Sequence, residues 1–300
     1  MAIDYRKRPR IDYRKAVAGP GGGRRADPAA SDAAASGPAG PGPALPGGAG
    51  PGGVPGAAGA RGSGGAISLE KVAARAPGLV DLYKKAAVSL AKNRVGGRRA
   101  AVYLVLDRSG SMRPYYRDGS VQHLAEQTLA LAANLDDDGV VPVVFFSTGI
   151  DGTAEIGLDS YRDRIGALHD AMGHMGRTNY HLAMRAVIEH YQASGATDPA
   201  FVVFQTDGSP TSRPEAERLL CKAAELPLFW QFVGFGDDEF RFLRKLDDLP
   251  VPGRRLVDNA GFFPAGPAPR EISDGDLYDR LLAEFPSWLA AAGAAGILPD

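Results

Sequence analysis

Three short stretches supply side chains able to hold a small, hard cation: Asp107-Arg108-Ser109-Gly110-Ser111, Arg177-Thr178-Asn179 and Thr206-Asp207-Gly208. Asp107, Ser109, Ser111, Thr178 and Asp207 are all oxygen donors, the type that Mg²⁺ takes. Ser109 and Ser111 follow Asp107 at a spacing of two, so both hydroxyls can reach one ion from a turning loop, and Gly110 between them permits a tight backbone. Alone, Asp-x-Ser-x-Ser also reads as a polar turn whose Asp and Ser cap local amides. The strand-like run before it, the Arg-Thr-Asn loop about 70 residues on and the Thr-Asp-Gly that follows another strand-like run favour a site. Only two carboxylates would face a divalent charge.

The elements that must position these residues alternate along the chain. Continuous apolar runs at 100–106, 140–146, 201–205 and 228–235 read as buried strands of a parallel sheet. A short edge strand is expected at 155–158 and a weak one at 255–257. Helical spacing of apolar residues predicts helices at 79–92, 120–135, 161–172, 180–192, 215–226, 240–246 and 276–291, with Ser120 as an N-cap. Strand and helix in alternation predict an α/β fold, a doubly wound, mostly parallel central sheet flanked by helices. Ligands of such sheets sit beyond the carboxyl ends of the strands, where the Asp107 and Asp207 loops both open.

Residues 1–66 differ in kind. Ile3-Asp4-Tyr5-Arg6-Lys7 recurs as Ile11-Asp12-Tyr13-Arg14-Lys15, and the segment holds nine Lys/Arg against four Asp/Glu. From Ala16 to Ala66 it is largely Gly, Pro and Ala with no aromatic residue, which predicts a disordered tether. A flexible chain of about 50 residues spans roughly 40 Å. The repeat reads either as a solvated tail with a chance duplication or as a docking peptide. The expected organisation is a disordered tail at 1–66, an N-terminal helical extension at 67–98, the main domain at 99–292 and a C-terminal tail at 293–300.

The formal net charge of −1 gives no global field toward nucleic acid or anionic membrane. Met1 to Lys15 is charged, unlike a secretory signal, and no run reaches the length of a membrane span, so a cytoplasmic protein is expected. The single Cys221 excludes an intramolecular disulfide, and a buried, small apolar role is expected for it. Asp136-Asp137-Asp138 reads as a solvated turn. His174 and His181 flank Thr178, but neither suits Mg²⁺, which prefers oxygen.

The pattern Asp-x-Ser-x-Ser, Thr, Asp resembles the metal-ion-dependent adhesion site of von Willebrand factor type A (vWA) domains. More narrowly, residues 103–112, 143–147, 174–180, 204–208 and 229–236 are similar to the bacterial tellurium-resistance, TerF-like vWA proteins. The resemblance implies a non-enzymatic scaffold in a bacterial tellurium- or stress-resistance system. It would bind Mg²⁺ (with Mn²⁺ or Ca²⁺ as alternatives) at Asp107, Ser109, Ser111, Thr178 and Asp207. The serines would ligate directly, the aspartates mostly through water, and an open position would take a partner's Asp or Glu, with other Ter-type proteins as partners. Arg113, Tyr115, Tyr116, Arg177 and Asn179 are the expected partner-facing residues. Two other functions compete. A Mg²⁺-dependent phosphohydrolase could use Asp107 as nucleophile, although Ser109 stands where a general acid is needed. A metal-free scaffold would carry a vestigial site.

Overall fold

The structure, a computed structural model, describes residues 65–251 and 253–298. The repeat and the Gly/Pro/Ala-rich tether lie outside the described residues.

Six strands form one sheet: β1 (Ala101–Asp107), β2 (Val140–Phe146), β3 (Ile150–Gly157), β4 (Ala200–Thr206), β5 (Leu228–Phe235) and β6 (Ala260–Gly266). Their spatial order is β3-β2-β1-β4-β5-β6. β3 pairs antiparallel with β2, and all other pairings are parallel. Every residue of β1, β4 and β5 is buried, because a central parallel strand is covered on both faces. The chain leaves β1 toward β2 on one side and later returns to place β4 on the other. The crevice at the carboxyl ends of β1 and β4 is therefore the topological switch point, where ligands of open α/β sheets bind.

On one face α4 (Ser120–Leu135) lies against β1 and β2, and α9 (Asp274–Leu282) lies against β6. α1 (Leu69–Arg75), a 3-10 turn at Pro77–Leu79 and α2 (Val80–Lys92) precede the sheet, and α2 packs on both α4 and α9. Ser68 caps α1 by accepting the Lys71 N–H at 3.3 Å. Lys85 of α2 pairs with Asp274 of α9 at 2.8 Å. α6 (Tyr180–Ser194), α7 (Arg213–Ala223) and α8 (Arg241–Asp247) form a second group, with α6 against β2, α8 against β6 and α7 between those two helices. Tyr180, Phe204, Phe232 and Phe146 meet in an aromatic cluster beneath α6.

Several expectations are corrected. The last strand is β6 at Ala260–Gly266, not 255–257. Arg255 is 3 % exposed and donates to the carbonyls of Leu249 and Asp247, so the chain before β6 wraps around a buried guanidinium instead of extending. The closing helix is two helices, α9 and α10 (Phe285–Ala294). Pro286 lacks the N–H that would continue α9, and it occupies the first turn of α10, where that loss is harmless. The helix expected at 161–172 is α5 (Arg164–Ala171), entered through Asp163 in the left-handed region. Asp136 is 4 % exposed, not solvated, and Cys221 is only half-buried.

Candidate metal centre

β1 delivers Asp107 to the crevice fully buried. Both its carboxylate oxygens are used: Oδ1 accepts the Ser109 N–H at 2.6 Å, and Oδ2 accepts the Thr206 hydroxyl at 2.6 Å. Burial pushes its pKa up to about 7, against those two bonds, and the charge of Asp207 adds to the rise. Beyond Asp107 the chain turns through a 3-10 segment, Gly110–Met112, and then α3 (Arg113–Arg117). This turn sets Ser109 Oγ 3.2 Å from Ser111 Oγ and 3.4 Å from Asp207 Oδ1. Asp207 also titrates above its ordinary value, chiefly through burial, opposed by hydrogen bonds to Ser111 and Ser109. Ser109 is buried and Ser111 exposed, so the group opens to solvent on the Ser111 side.

The Thr178 loop reaches the group through its backbone. The Gly110 N–H donates to the Gly176 carbonyl at 3.2 Å, and Ser109 and Gly176 form an isolated parallel bridge. A Cβ at Gly176 would lie 2.9 Å from Ser147 Oγ and 3.0 Å from the Thr148 nitrogen, so the loop needs glycine there to seat against the end of β2. Thr148 Oγ1 accepts the Arg177 N–H, and the Thr148 carbonyl accepts from Asn179 Nδ2 at 2.8 Å. The Thr178 carbonyl accepts the Thr211 N–H at 2.7 Å, which ties this loop to the one after β4. Hydrogen bonds thus join the side chains of Asp107, Ser109, Ser111 and Asp207, while Thr178 arrives on a loop held from both sides.

Arg108, between the candidate ligands, points away from them. It is 1 % exposed and pairs with Asp151 of β3 at 2.7 Å. It also donates to His169 Nδ1 at 3.1 Å and to the Gly173 carbonyl at 3.0 Å. Burial, with Arg108 beside it, holds the His169 pKa down. Ser147 donates to the other oxygen of Asp151 at 2.7 Å.

The expected partner-facing residues divide. Arg113 and Arg177 are exposed. Asn179 is half-buried and its amide is spent on Thr148. Tyr115 lies edge-on to Phe235, ring centroids 5.3 Å apart. Tyr116 is turned inward: its hydroxyl donates to the Asp107 carbonyl at 3.0 Å and its ring stacks on His169 at 4.0 Å. His174 is exposed, and His181 Nε2 lies 3.1 Å from a Glu215 oxygen.

Sequence reasoning missed Thr206, Tyr180, Arg108 and Asp151. The Tyr180 hydroxyl lies 3.1 Å from Thr206 Oγ1 and also bonds the Gly208 carbonyl, bracing the strand end that carries Asp207. Thr206 was findable, because it ends a buried strand and needs a polar partner there.

The donor set fits a hard divalent cation. Ser109 and Ser111 offer two hydroxyls beside the carboxylates of Asp107 and Asp207, and neither carboxylate forms an ion pair among the described residues. Among those residues no group of three or more His, Cys, Asp or Glu is placed to hold a metal, so a cation here would depend on the hydroxyls.

A doubly wound sheet with a hydroxyl- and carboxylate-lined crevice at its switch point is the architecture of a vWA domain. The chain belongs to the vWA-TerF-like family, the vWA domain found at the TerF C terminus, whose model matches residues 99–298. It is 37% identical over 226 residues to the uncharacterized protein YcbR of Bacillus subtilis (strain 168), covering 74% of this chain and 90% of that one. Among solved structures, the manganese-loaded Plasmodium vivax TRAP protein matches with a TM-score of 0.45 and 18% identity, over 63% of this chain and 74% of that one. Proximal thread matrix protein 1 of the mussel byssus matches at 0.42 and 16%, over 64% and 47%.

Proposed function

We propose that this protein is a non-enzymatic, metal-dependent binding module. Mg²⁺, or Mn²⁺ or Ca²⁺ in its place, is held by Ser109, Ser111 and Thr178, with Asp107 and Asp207 in support. The bound ion supplies a Lewis-acidic point with a position open to a partner's Asp or Glu. The observation that carries this reading is the approach of Ser109 Oγ to both Ser111 Oγ and Asp207 Oδ1, across two separate loops. Mg²⁺ takes six oxygens at about 2.0–2.1 Å and keeps waters readily, which suits a site with few charges of its own.

The chain's own residues do the positioning. Asp107 anchors the turn through the Ser109 N–H, Thr206 fixes Asp107, and Ser111 faces solvent where a partner would approach. Exposed Arg113 and Arg177 would favour an acidic partner surface. Family membership supports a place in a bacterial tellurium- or stress-resistance system, in the cytoplasm, with Ter-type proteins as partners. The commitment of both Asp107 oxygens to hydrogen bonds argues against its use as a phosphoryl nucleophile.

The test is calorimetric titration of Mg²⁺, Mn²⁺ and Ca²⁺ into the EDTA-stripped chain, wild type and Ser111→Ala. Saturable binding weakened in the variant is expected, with partner recovery in pull-down abolished by EDTA. A silent titration would leave the metal-free scaffold as the correct reading.

A further inference from the structure

α7 carries a second concentration of charge whose residues include none of the candidate metal ligands. Arg213, Pro214, Glu217, Arg218 and Cys221 line an open pocket of about 730 Å³, together with Lys245 of α8 and with Leu249, Pro250 and Arg254 of the segment after it. The α7 residues recur at helical spacing, so one face of the helix forms the wall. Four cationic side chains meet one carboxylate, in a chain whose overall formal charge is −1.

That carboxylate is already engaged. Glu217 is 7 % exposed and takes Lys245 at 2.6 Å through one oxygen and Arg254 through the other. It clasps two cations from different elements onto α7 and pre-orders them, which lowers the entropy that a ligand would otherwise have to offset. Glu215, the acid in the first turn of α7, lies against His181. Arg213 and Arg218 are exposed and form no ion pair among the described residues.

We propose that this pocket binds a small polyanion carrying linked phosphoryl groups, as in a nucleoside triphosphate or free tripolyphosphate. Arginine's planar fork matches phosphoryl oxygens in pairs, and three of the four cations are arginines. Arg213 and Arg218 add two charges to the one that Glu217 leaves unbalanced. The pocket's size falls in the range of small-molecule sites, about 300–1,000 Å³. Pro214, Leu249 and Pro250 give it an apolar flank.

The test is titration of tripolyphosphate and, separately, adenosine triphosphate into the full-length chain. EDTA is present throughout so that no metal bridges the anion to the Asp107 site. Wild type, Arg218→Glu, Arg213→Glu and, at an exposed arginine outside the pocket lining, Arg98→Glu are compared, with sulfate at matched ionic strength as control. Saturable binding is expected, weakened at least about tenfold by either pocket arginine reversal and unchanged by Arg98→Glu. Tighter binding of adenosine triphosphate would assign the nucleoside to the apolar flank, and equal binding would assign the phosphate chain alone. Absence of saturable binding, equal binding of sulfate, or affinity that both reversals leave intact would overturn the proposal. The reversals alter exposed side chains and spare the Glu217 clasp, and circular dichroism of each variant confirms its fold.

Discussion

Thr206 donates its hydroxyl to Asp107 Oδ2 at 2.6 Å, across the two strands that flank the switch point. The register permits this contact: Gln205 pairs with Leu106, so the next residue of each strand stands opposite the other. A buried carboxylate is thereby held by the neighbouring strand, not by a counter-charge.

Thr206→Val keeps the shape and removes the donor. An unsatisfied buried oxygen should destabilise the fold by about 1–3 kcal/mol. Divalent-ion affinity should fall about 10- to 100-fold, as for the loss of a group that orients a ligand. Urea denaturation and calorimetric titration read the two effects; unchanged ion affinity would show that Thr206 supports the fold alone.

Gly176→Ala tests the role of the Thr178 loop. Its Cβ would press on Ser147 and Thr148 and lift the loop from the end of β2. Ion affinity should drop about 10-fold or more while denaturant unfolding stays cooperative. An affinity equal to wild type would remove Thr178 from the set of ligands.

Arg108→Met should cost about 3–5 kcal/mol, because Asp151 would keep a largely buried charge with no cation beside it. The double variant Arg108→Met/Asp151→Asn should recover part of that loss. Denaturant midpoints of the four-member cycle give the coupling, and additive single effects would contradict it.

The pH dependence of stability should carry a contribution from Asp247. Burial raises its pKa from 3.8 to about 7, with Glu284 and Asp258 repelling its charge, Asp248 adding to that and Arg255 opposing. The folded state therefore holds the proton more tightly than the unfolded chain. The stabilisation is complete below about pH 4 and is lost as pH rises toward 7. Asp247→Asn should flatten the stability curve across that window; a difference between the two proteins that does not vary with pH would refute the assignment.

Much of this fold was legible because β1, β4 and β5 are covered on both faces and so read as unbroken apolar runs. Asp107 and Asp207 could be placed on one edge because each lies where such a run stops. β6 was not legible. Ala260–Gly266 mixes glycine and proline with phenylalanine, which an edge strand tolerates and a propensity argument rejects. The break at Pro286 was written in the chain and overridden by the helical spacing around it. Arg108 was hidden for a different reason. A charged residue inside a polar loop reads as solvent-facing, and only the return of Asp151, 43 residues later, turns it inward. Tyr116 was misplaced the same way, since its ring needs His169 from a distant helix.

The inward Arg108 has one more effect. A turn bolted down from its rear face has surrendered its freedom before any ion arrives. On the proposed reading, loading the crevice would ask for no rebuilding of the main chain, and emptying it would leave the mould standing. Loss of the ion would then release a partner without loss of shape.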